Sequence, residues 1–273
     1  MIHSYSNLEE KARQIRIDVL NAVHTAGKGH IGGAFSIVDI LVSLFYGGLL
    51  KFKPAEPAWE GRDRFLLSKG HAGVALYAVL ADLGFFPKVE LGSLNRGGLL
   101  GEHPDPRIPG VEFLSGSLGH GLPIANGMAL ADKLDGKARR TIVLMGDGEC
   151  YEGSVWEGAM FAAHHQLHSL CAVVDRNRLI THGSTEKINR LEPFREKWLA
   201  FGWDVRELNA HDHGDLNAAW SYHWSKTNGA PTLLICNSVK GKGVSFMENE
   251  AKWHHGGINS DLHRQALAQL NCG

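Results

Sequence analysis

The sequence predicts an α/β fold, a parallel sheet with helices on both faces. Three observations lead there. Beyond residue 140 the pattern runs strand, helix, strand, helix, strand. Two apolar runs, Ile142 to Met145 and Cys171 to Val174, are as short and rich in Val, Ile or Leu as buried parallel strands are. Between them Trp156 to His165 has helical spacing, with an apolar stripe through Trp156, Met160 and Ala163, which makes a βαβ crossover. No internal repeat, low-complexity tract or linker breaks the chain, so residues 1–273 are read as one domain.

In chain order, Leu8 to Thr25 is an amphipathic helix with Ile15, Val19, Ala22 and Val23 on one side. It runs into the Gly-rich loop AGKGHIGG, which carries His30. Ser36 is placed to cap a second helix, Ile37 to Tyr46. RDRFLLS gives a short strand, and Lys69-Gly70-His71 leads into a helix to about Leu83. Residues 92–116 are rich in Gly and Pro and read as a long loop containing Glu102-His103-Pro104. Loops of that length are uncommon in compact domains and are often functional. SGSLGHG, Ser115 to Gly121, precedes an Ala-rich helix to about Leu134. After the central unit come a helix from Pro193 to Phe201, a strand from Trp203 to Leu208 and a helix from Leu216 to Lys226. A buried strand, Thr232 to Asn237, then leads into VKGKGVSF, WHHGG and a short helix from Asp261 to Leu270. Met145, Trp156 and Phe161 are assigned to the core.

Composition excludes several classes. Hydrophobic residues at 44% and charged residues at 21% are ordinary for a soluble globular protein. A net charge of −1 without a long basic run speaks against a nucleic-acid surface. No apolar stretch approaches the roughly 20 residues of a membrane span. The start, MIHSYSNLEEKARQIR, lacks the charged-then-apolar order of a signal peptide. Cys150, Cys171, Cys236 and Cys272 are far apart with no CxxC, as free thiols of a cytoplasmic protein would be.

The chemistry concentrates at the ends of the two central strands. Gly146-Asp147-Gly148-Glu149 follows the first, and Asp175-Arg176-Asn177-Arg178-Leu179 follows the second. Asp147 offers a carboxylate and Asn177 a side-chain carbonyl, thirty residues apart (177 − 147). Mg²⁺ takes such oxygen ligands and completes its shell with substrate phosphates and water. Gly146 and Gly148 let the backbone approach a phosphate, and the following helix directs amides toward it. The residues therefore point to a metal-bridged diphosphate.

GDG followed about thirty residues later by Asn resembles the fingerprint of thiamine diphosphate enzymes, as defined a motif as the Gly-rich fingerprints. The wider wording, GDGECYEGSVWEGAMFAAHH, looks like the transketolase branch. The resemblance implies a thiamine diphosphate-binding fold with Mg²⁺ held by Asp147, Asn177 and the backbone carbonyl of Leu179. Gly146, Asp147, Gly148, Glu149 and Asn177 would hold the cofactor diphosphate. SGSLGHG resembles the family loop whose Gly116, Ser117 and Leu118 contact the cofactor, although His120 replaces the usual Gln. GKGHIGG, SKGHAG, GEHP and KGKG…WH match the family's histidine segments. By that match His30, His103 and His254 contact sugar hydroxyls and the carbonyl, while His71 and His254 lie near the cofactor. Lys240 matches an active-site lysine of some members. WHHGG leaves open whether His254 or His255 is the active-site residue. Glu152 and Glu157 match carboxylates that link paired active sites. Lys28, Ile31 and His182 depart from the usual wording without touching the metal set.

The resemblance covers nearly all of this chain but only the N-terminal half of a full-length transketolase. The expected function is therefore the N-terminal subunit of a split enzyme, passing a two-carbon ketol unit from a ketose to an aldose. A C-terminal, pyrimidine-binding partner would bring the activating glutamate, in a heterotetramer with two copies of each chain. A 1-deoxyxylulose-5-phosphate synthase-like subunit and a non-catalytic Mg²⁺–diphosphate-binding module are the alternatives. A metal-dependent phosphohydrolase would need a second carboxylate cluster. The sugar, its phosphorylation and the pathway stay open.

Overall fold

The computed structural model describes residues 7–272; the opening of the stretch read for a signal sequence, residues 1–6, lies outside them. In chain order the strands are β1 (Arg64–Leu67), β2 (Thr141–Gly146), β3 (Leu170–Arg176), the short β4 (Leu179–Ile180) and β5 (Gly183–Ser184), β6 (Asp204–Asn209) and β7 (Thr232–Asn237). β1, β2, β3, β7 and β6 lie side by side in that order and are parallel throughout. β4 and β5 form a separate antiparallel hairpin directly after β3.

Both faces of the sheet are covered, which is why its strands read as continuous apolar runs. Ile142, Leu144, Cys171, Val173, Leu234 and Cys236 point into one core. Their neighbours Val143, Met145, Ala172, Val174, Leu233 and Ile235 point into the other. The first core is closed by α1 (Leu8–Ala26), α2 (Ile31–Phe35), α3 (Val38–Tyr46), α4 (Gly73–Asp82), and, later in the chain, residues 213–225 and 260–272. The second is closed by α5 (Gly121–Leu134), α6 (Gly153–His164) and α8 (Phe194–Ala200), with the one-turn α7 (Thr185–Ile188) between the last two. α9 (His213–Ser225) and α10 (Ser260–Cys272) complete the set. Helices therefore lie on both faces, as the sequence predicted.

Two local readings need correction. Ser36 does not cap α3; it ends α2, and its hydroxyl donates to Asp175 Oδ2 at 2.7 Å, with the Gly33 carbonyl 3.0 Å away. The buried stripe of α6 is Val155, Gly158, Ala159 and Ala162, not Trp156, Met160 and Ala163. Small residues face α5 because the helices pack closely there: a Cβ on Gly158 would sit 3.3 Å from Leu122 and Asn126. Met160 and Phe161 are consequently 51% and 38% exposed, so Phe161 is not core, whereas Met145 is. Trp156 is partly buried against the rings of Phe194, Trp198 and Phe201.

One buried polar network ties the helical layer to the functional edge. Arg16 on α1 grips Asp39 on α3 through both guanidinium nitrogens, and its Nη2 also donates to the Phe35 carbonyl. His211, in the turn after β6, donates from Nδ1 to Asp39, because its Nε2 accepts the Val239 amide at 2.9 Å. The ring thereby fixes the backbone next to Lys240. Burial alone would raise the Asp39 carboxyl, but Arg16 and His211 outweigh it and hold the group well below the usual carboxylate range.

Asp39→Asn would leave the Arg16 charge buried without its partner and should cost about 3–5 kcal/mol, read as a lower urea midpoint at unchanged slope. The folded-state pKa is depressed, so the stabilisation is complete above the unfolded value of about 3.9 and is lost as pH falls through the folded one. The wild-type and variant stability curves should converge on acidification below about pH 4.

Candidate active site

The C-terminal ends of parallel strands are where α/β sheets bind ligands, and several buried polar and charged residues of this chain lie there. Ser68 and Lys69 follow β1, Asp147 follows β2, Asn177 follows β3, and Ser238 to Lys240 follow β7. They surround a cavity of about 240 Å³ whose lining includes Lys69, His71, Leu118, Asp147, Asn177, Leu179, Lys240 and His254. Gly146, Gly148 and Glu149 also line it, together with Tyr151, Ile180 and Thr181.

Asp147 is buried, and three groups hold its carboxylate. Oδ1 accepts the Gly148 amide at 2.7 Å; Oδ2 accepts the Arg178 amide at 2.6 Å and Arg176 Nη1 at 3.1 Å. Arg178 can aim that amide because its backbone is left-handed, φ 63°, an unusual state for a residue with a side chain. Burial, followed by the nearby Asp175 charge, pushes the Asp147 pKa up, against the opposing pull of Arg176 and the Arg178 amide. Asn177 donates from Nδ2 to Asp175 at 2.8 Å, which turns its Oδ1 to the Leu179 amide at 3.0 Å. The β4–β5 hairpin brings the Leu179 carbonyl to the same cavity, where Lys240 Nζ reaches it at 3.3 Å. Gly148 must be glycine: a Cβ there would lie 2.3 Å from the Ile180 side chain.

The residue behind all of this is Asp175, which is fully buried. It takes an ion pair from Lys69 and hydrogen bonds from Ser36, Asn177 and Ser238. Lys69 also donates to the Gly33 carbonyl at 3.0 Å. Neither Lys69 nor Asp175 carries a role legible in the sequence, since nothing local pairs residues 106 positions apart. The same holds for Arg176, which bridges Asp147 to Glu186 and Glu192.

Glu149 lies in the turn as expected and is buried, with its carboxylate taken up by neighbouring donors. It accepts from the Ser68 hydroxyl and from the Gly119 and Gly146 amides, clamping the SGSLGHG loop to the GDG turn. Burial raises its pKa while those three donors oppose the rise. Of that loop, Leu118 lines the cavity, whereas Gly116 and Ser117 are exposed, with Gly116 backed against the His103 ring. His120 is exposed at the start of α5.

The histidines converge. The His30 ring centre lies 5.3 Å from His71, 6.5 Å from His103, 5.3 Å from His254 and 4.4 Å from His255. The strands alone do not bring them together. A two-bond backbone bridge between Gly29 and Gly256 joins their segments, and Gly32 leaves room for the Trp253 carbonyl, which would stand 2.7 Å from a Cβ. Lys240 Nζ meets His254 Nδ1 at 2.9 Å. Burial, helped by Lys240, lowers the His254 pKa to about 3; burial and His255 lower that of His30 to about 4. Burial and Lys69 lower that of His71 as well, so all three rings are neutral near pH 7. Burial and Lys69 bring Lys240 down to about 8. His254 lines the cavity and His255 stands outside it, exposed, next to His30. Glu152 and Glu157 are exposed around the start of α6 and do not enter the cavity.

One strand-edge cavity thus brings together a buried aspartate, an asparagine two residues past a second strand aspartate and the neutral His71 and His254, with His30 beside them. Residues 8–270 match the family described as transketolase, thiamine diphosphate binding domain. An apulose-4-phosphate transketolase subunit of Phocaeicola vulgatus is 41% identical over 97% of this chain and 94% of its own length. A 6-deoxy-6-sulfo-D-fructose transketolase subunit of a Clostridium species is 40% identical over 97% of this chain and 96% of its own. Among solved structures, the transketolase of Campylobacter jejuni superposes with a TM-score of 0.91 at 28% identity, over 97% of this chain and 42% of that one. The chain belongs to the transketolase family and corresponds to its N-terminal, thiamine diphosphate-binding section.

Lys69→Met tests the frame of the site. With Asp175 left buried and unpaired, unfolding should become easier by about 3–5 kcal/mol. Amide exchange at residues 175–179 should accelerate more than exchange in β2.

Proposed function

We propose that this chain is the diphosphate-binding subunit of a split transketolase, moving a two-carbon ketol unit from a ketose with an anionic terminal group to an aldose. The observation that carries this reading is one cavity holding Asp147, Asn177 and the Leu179 carbonyl beneath a ring of neutral histidines. The two relatives named as transketolase subunits, matched over nearly their whole lengths, support the split arrangement. Their names also motivate the anionic sugar, since one specifies a phosphate and the other a sulfo group.

The donor set fits a hard cation. Asp147, Asn177 and the Leu179 carbonyl offer only oxygen, the choice of Mg²⁺, and all three line the same cavity. Gly146, Gly148 and the Gly116–Leu118 backbone would hold the diphosphate and ring of the cofactor. Thiamine diphosphate, when bound, supplies the nucleophilic carbon and electron sink that allow a C2–C3 bond of a ketose to break. The chain's own residues bind and orient. Lys240 donates to His254 Nδ1, so the His254 proton sits on Nε2, where it can donate to a sugar oxygen. His30 and His103 would offer further hydrogen bonds to hydroxyls, and His71 would border the cofactor. A neutral ring polarises a carbonyl without the desolvation cost of a second cation beside Lys69 and Lys240.

A pyrimidine-binding partner chain would supply the activating glutamate, and two copies of each chain would pair about a twofold axis. The exposed Met160 and Phe161 on α6 supply apolar area for such pairing, with Glu152 and Glu157 nearby. No described helix is long and apolar enough to cross a membrane. The free thiols, three of the four buried, accord with a cytoplasmic setting.

Three outcomes are expected. In calorimetric titration of the assembled complex, Asp147→Ala should abolish Mg²⁺-dependent binding of thiamine diphosphate; unchanged affinity would remove the metal assignment. His30→Ala and His103→Ala should each lower ketose turnover by about 10²-fold while cofactor affinity stays within a few-fold. The isolated chain should be inactive with excess Mg²⁺, cofactor and ketose, and a pyrimidine-domain partner should restore transfer and enlarge the particle in light scattering. Turnover by the chain alone would refute the shared site.

A further inference from the structure

Outside the cavity, one trio of side chains is not explained by holding the diphosphate. His30, Glu102 and His255 present three ligating atoms within 4.8 Å of one another. Glu102 Oε1 lies 3.1 Å from His30 Nδ1 and 3.1 Å from His255 Nε2. Those separations are short enough for hydrogen bonds, yet His30 Nδ1 and Glu102 Oε1 are buried and make none. The ring nitrogens do not aim at the carboxylate oxygen. Buried polar atoms left in this state are rare and ask for a partner.

We propose that His30 Nδ1, Glu102 Oε1 and His255 Nε2 form a binding site for one divalent transition-metal ion of the zinc type, distinct from the Asp147 site. A tetrahedral zinc with ligands about 2.0–2.2 Å away holds neighbouring donor atoms about 3.3 Å apart. Two edges of the trio already stand at 3.1 Å. Two imidazoles and one carboxylate, with a fourth position for water, is the ligand set of open zinc sites. The same set disfavours Mg²⁺, which seeks oxygen.

The frame is rigid enough for the purpose. His30 and His255 sit beside the two residues of the Gly29–Gly256 bridge, which makes hydrogen bonds of 3.0 and 3.1 Å. Glu102 is held by its own loop, where the Pro104 carbonyl accepts the Ser115 amide at 3.0 Å and Pro104 packs on Gly73. His255 is the exposed member, so the site opens outward. The ion would lie beside the rings of His71 and His254, which line the cavity, and would draw His30 away from any sugar bound there.

The test needs neither partner nor cofactor, so its failure is separable from failure of the transketolase reading. The chelator-treated full chain is titrated calorimetrically with ZnCl₂ in millimolar Mg²⁺. One ion per chain should bind at micromolar concentration or below, and Glu102→Gln and His255→Asn should each weaken it about 10-fold or more. His24→Asn, which breaks the stacked histidine pair His24 with His263 elsewhere in the chain, should leave affinity unchanged. Circular dichroism checks that each variant is folded, and exposed His255 is the substitution that least disturbs packing. No zinc binding by the unmodified chain, or binding that survives both the Glu102 and the His255 substitutions, would overturn the proposal.

Discussion

The site depends first on a buried ion pair, Lys69 with Asp175. Neither group has water to solvate it, so each requires the other, and the pair fixes the end of β1 against the end of β3. Ser36, Asn177 and Ser238 fill the remaining lone pairs of the carboxylate, which draws in the turn after α2 and the segment after β7. Buried ion pairs often add little net stability over an apolar replacement, while losing one partner is costly. Here the pair locates four chain segments around one cavity. Asn177 is the clearest beneficiary, because its amide is turned by Asp175 and its carbonyl side is thereby defined.

A second tier starts from Arg176, the neighbour of Asp175 that faces the other way along β3. Its guanidinium spans Asp147, Glu186 and Glu192, coupling the GDG turn to α7 and to the segment just before α8. Glu149 performs the equivalent service on the opposite side, where Ser68, Gly119 and Gly146 converge on it. Charged side chains that read as candidate cofactor contacts thus divide into two kinds. Asp147 lines the cavity and is held by backbone amides and Arg176, whereas the Glu149 carboxylate takes donors from three segments of the scaffold.

The histidine ring belongs to a third tier built from loops. Its members come from the turn before α2, the turn after β1, the long loop before α5 and the segment before α10. Backbone pairing of Gly29 with Gly256 and the close approach at Gly32 bring these loops together. Burial keeps the His30, His71 and His254 rings uncharged, a state suited both to sugar hydroxyls and to a metal ion.

The sequence by itself determined the alternation of strands and helices, the double-sided burial of the sheet and the placement of Asp147 and Asn177 at adjacent strand ends. Each is written in local periodicity and in short spacings that backbone geometry converts directly into position. His30, His71, His103 and His254 were legible as a group only through family wording, because loop residues carry no periodic signal. Tertiary structure decided the rest. It inserted β7 between β3 and β6, chose which face of α6 to bury by the close fit of Gly158 to α5, and left Met160 and Phe161 outside. It alone joined Lys69 to Asp175, Arg16 to His211 through Asp39, and Glu102 to His255. These pairs are remote in sequence, and their partners are selected by desolvation and by the shape of the packed interior, which no stretch of chain contains on its own.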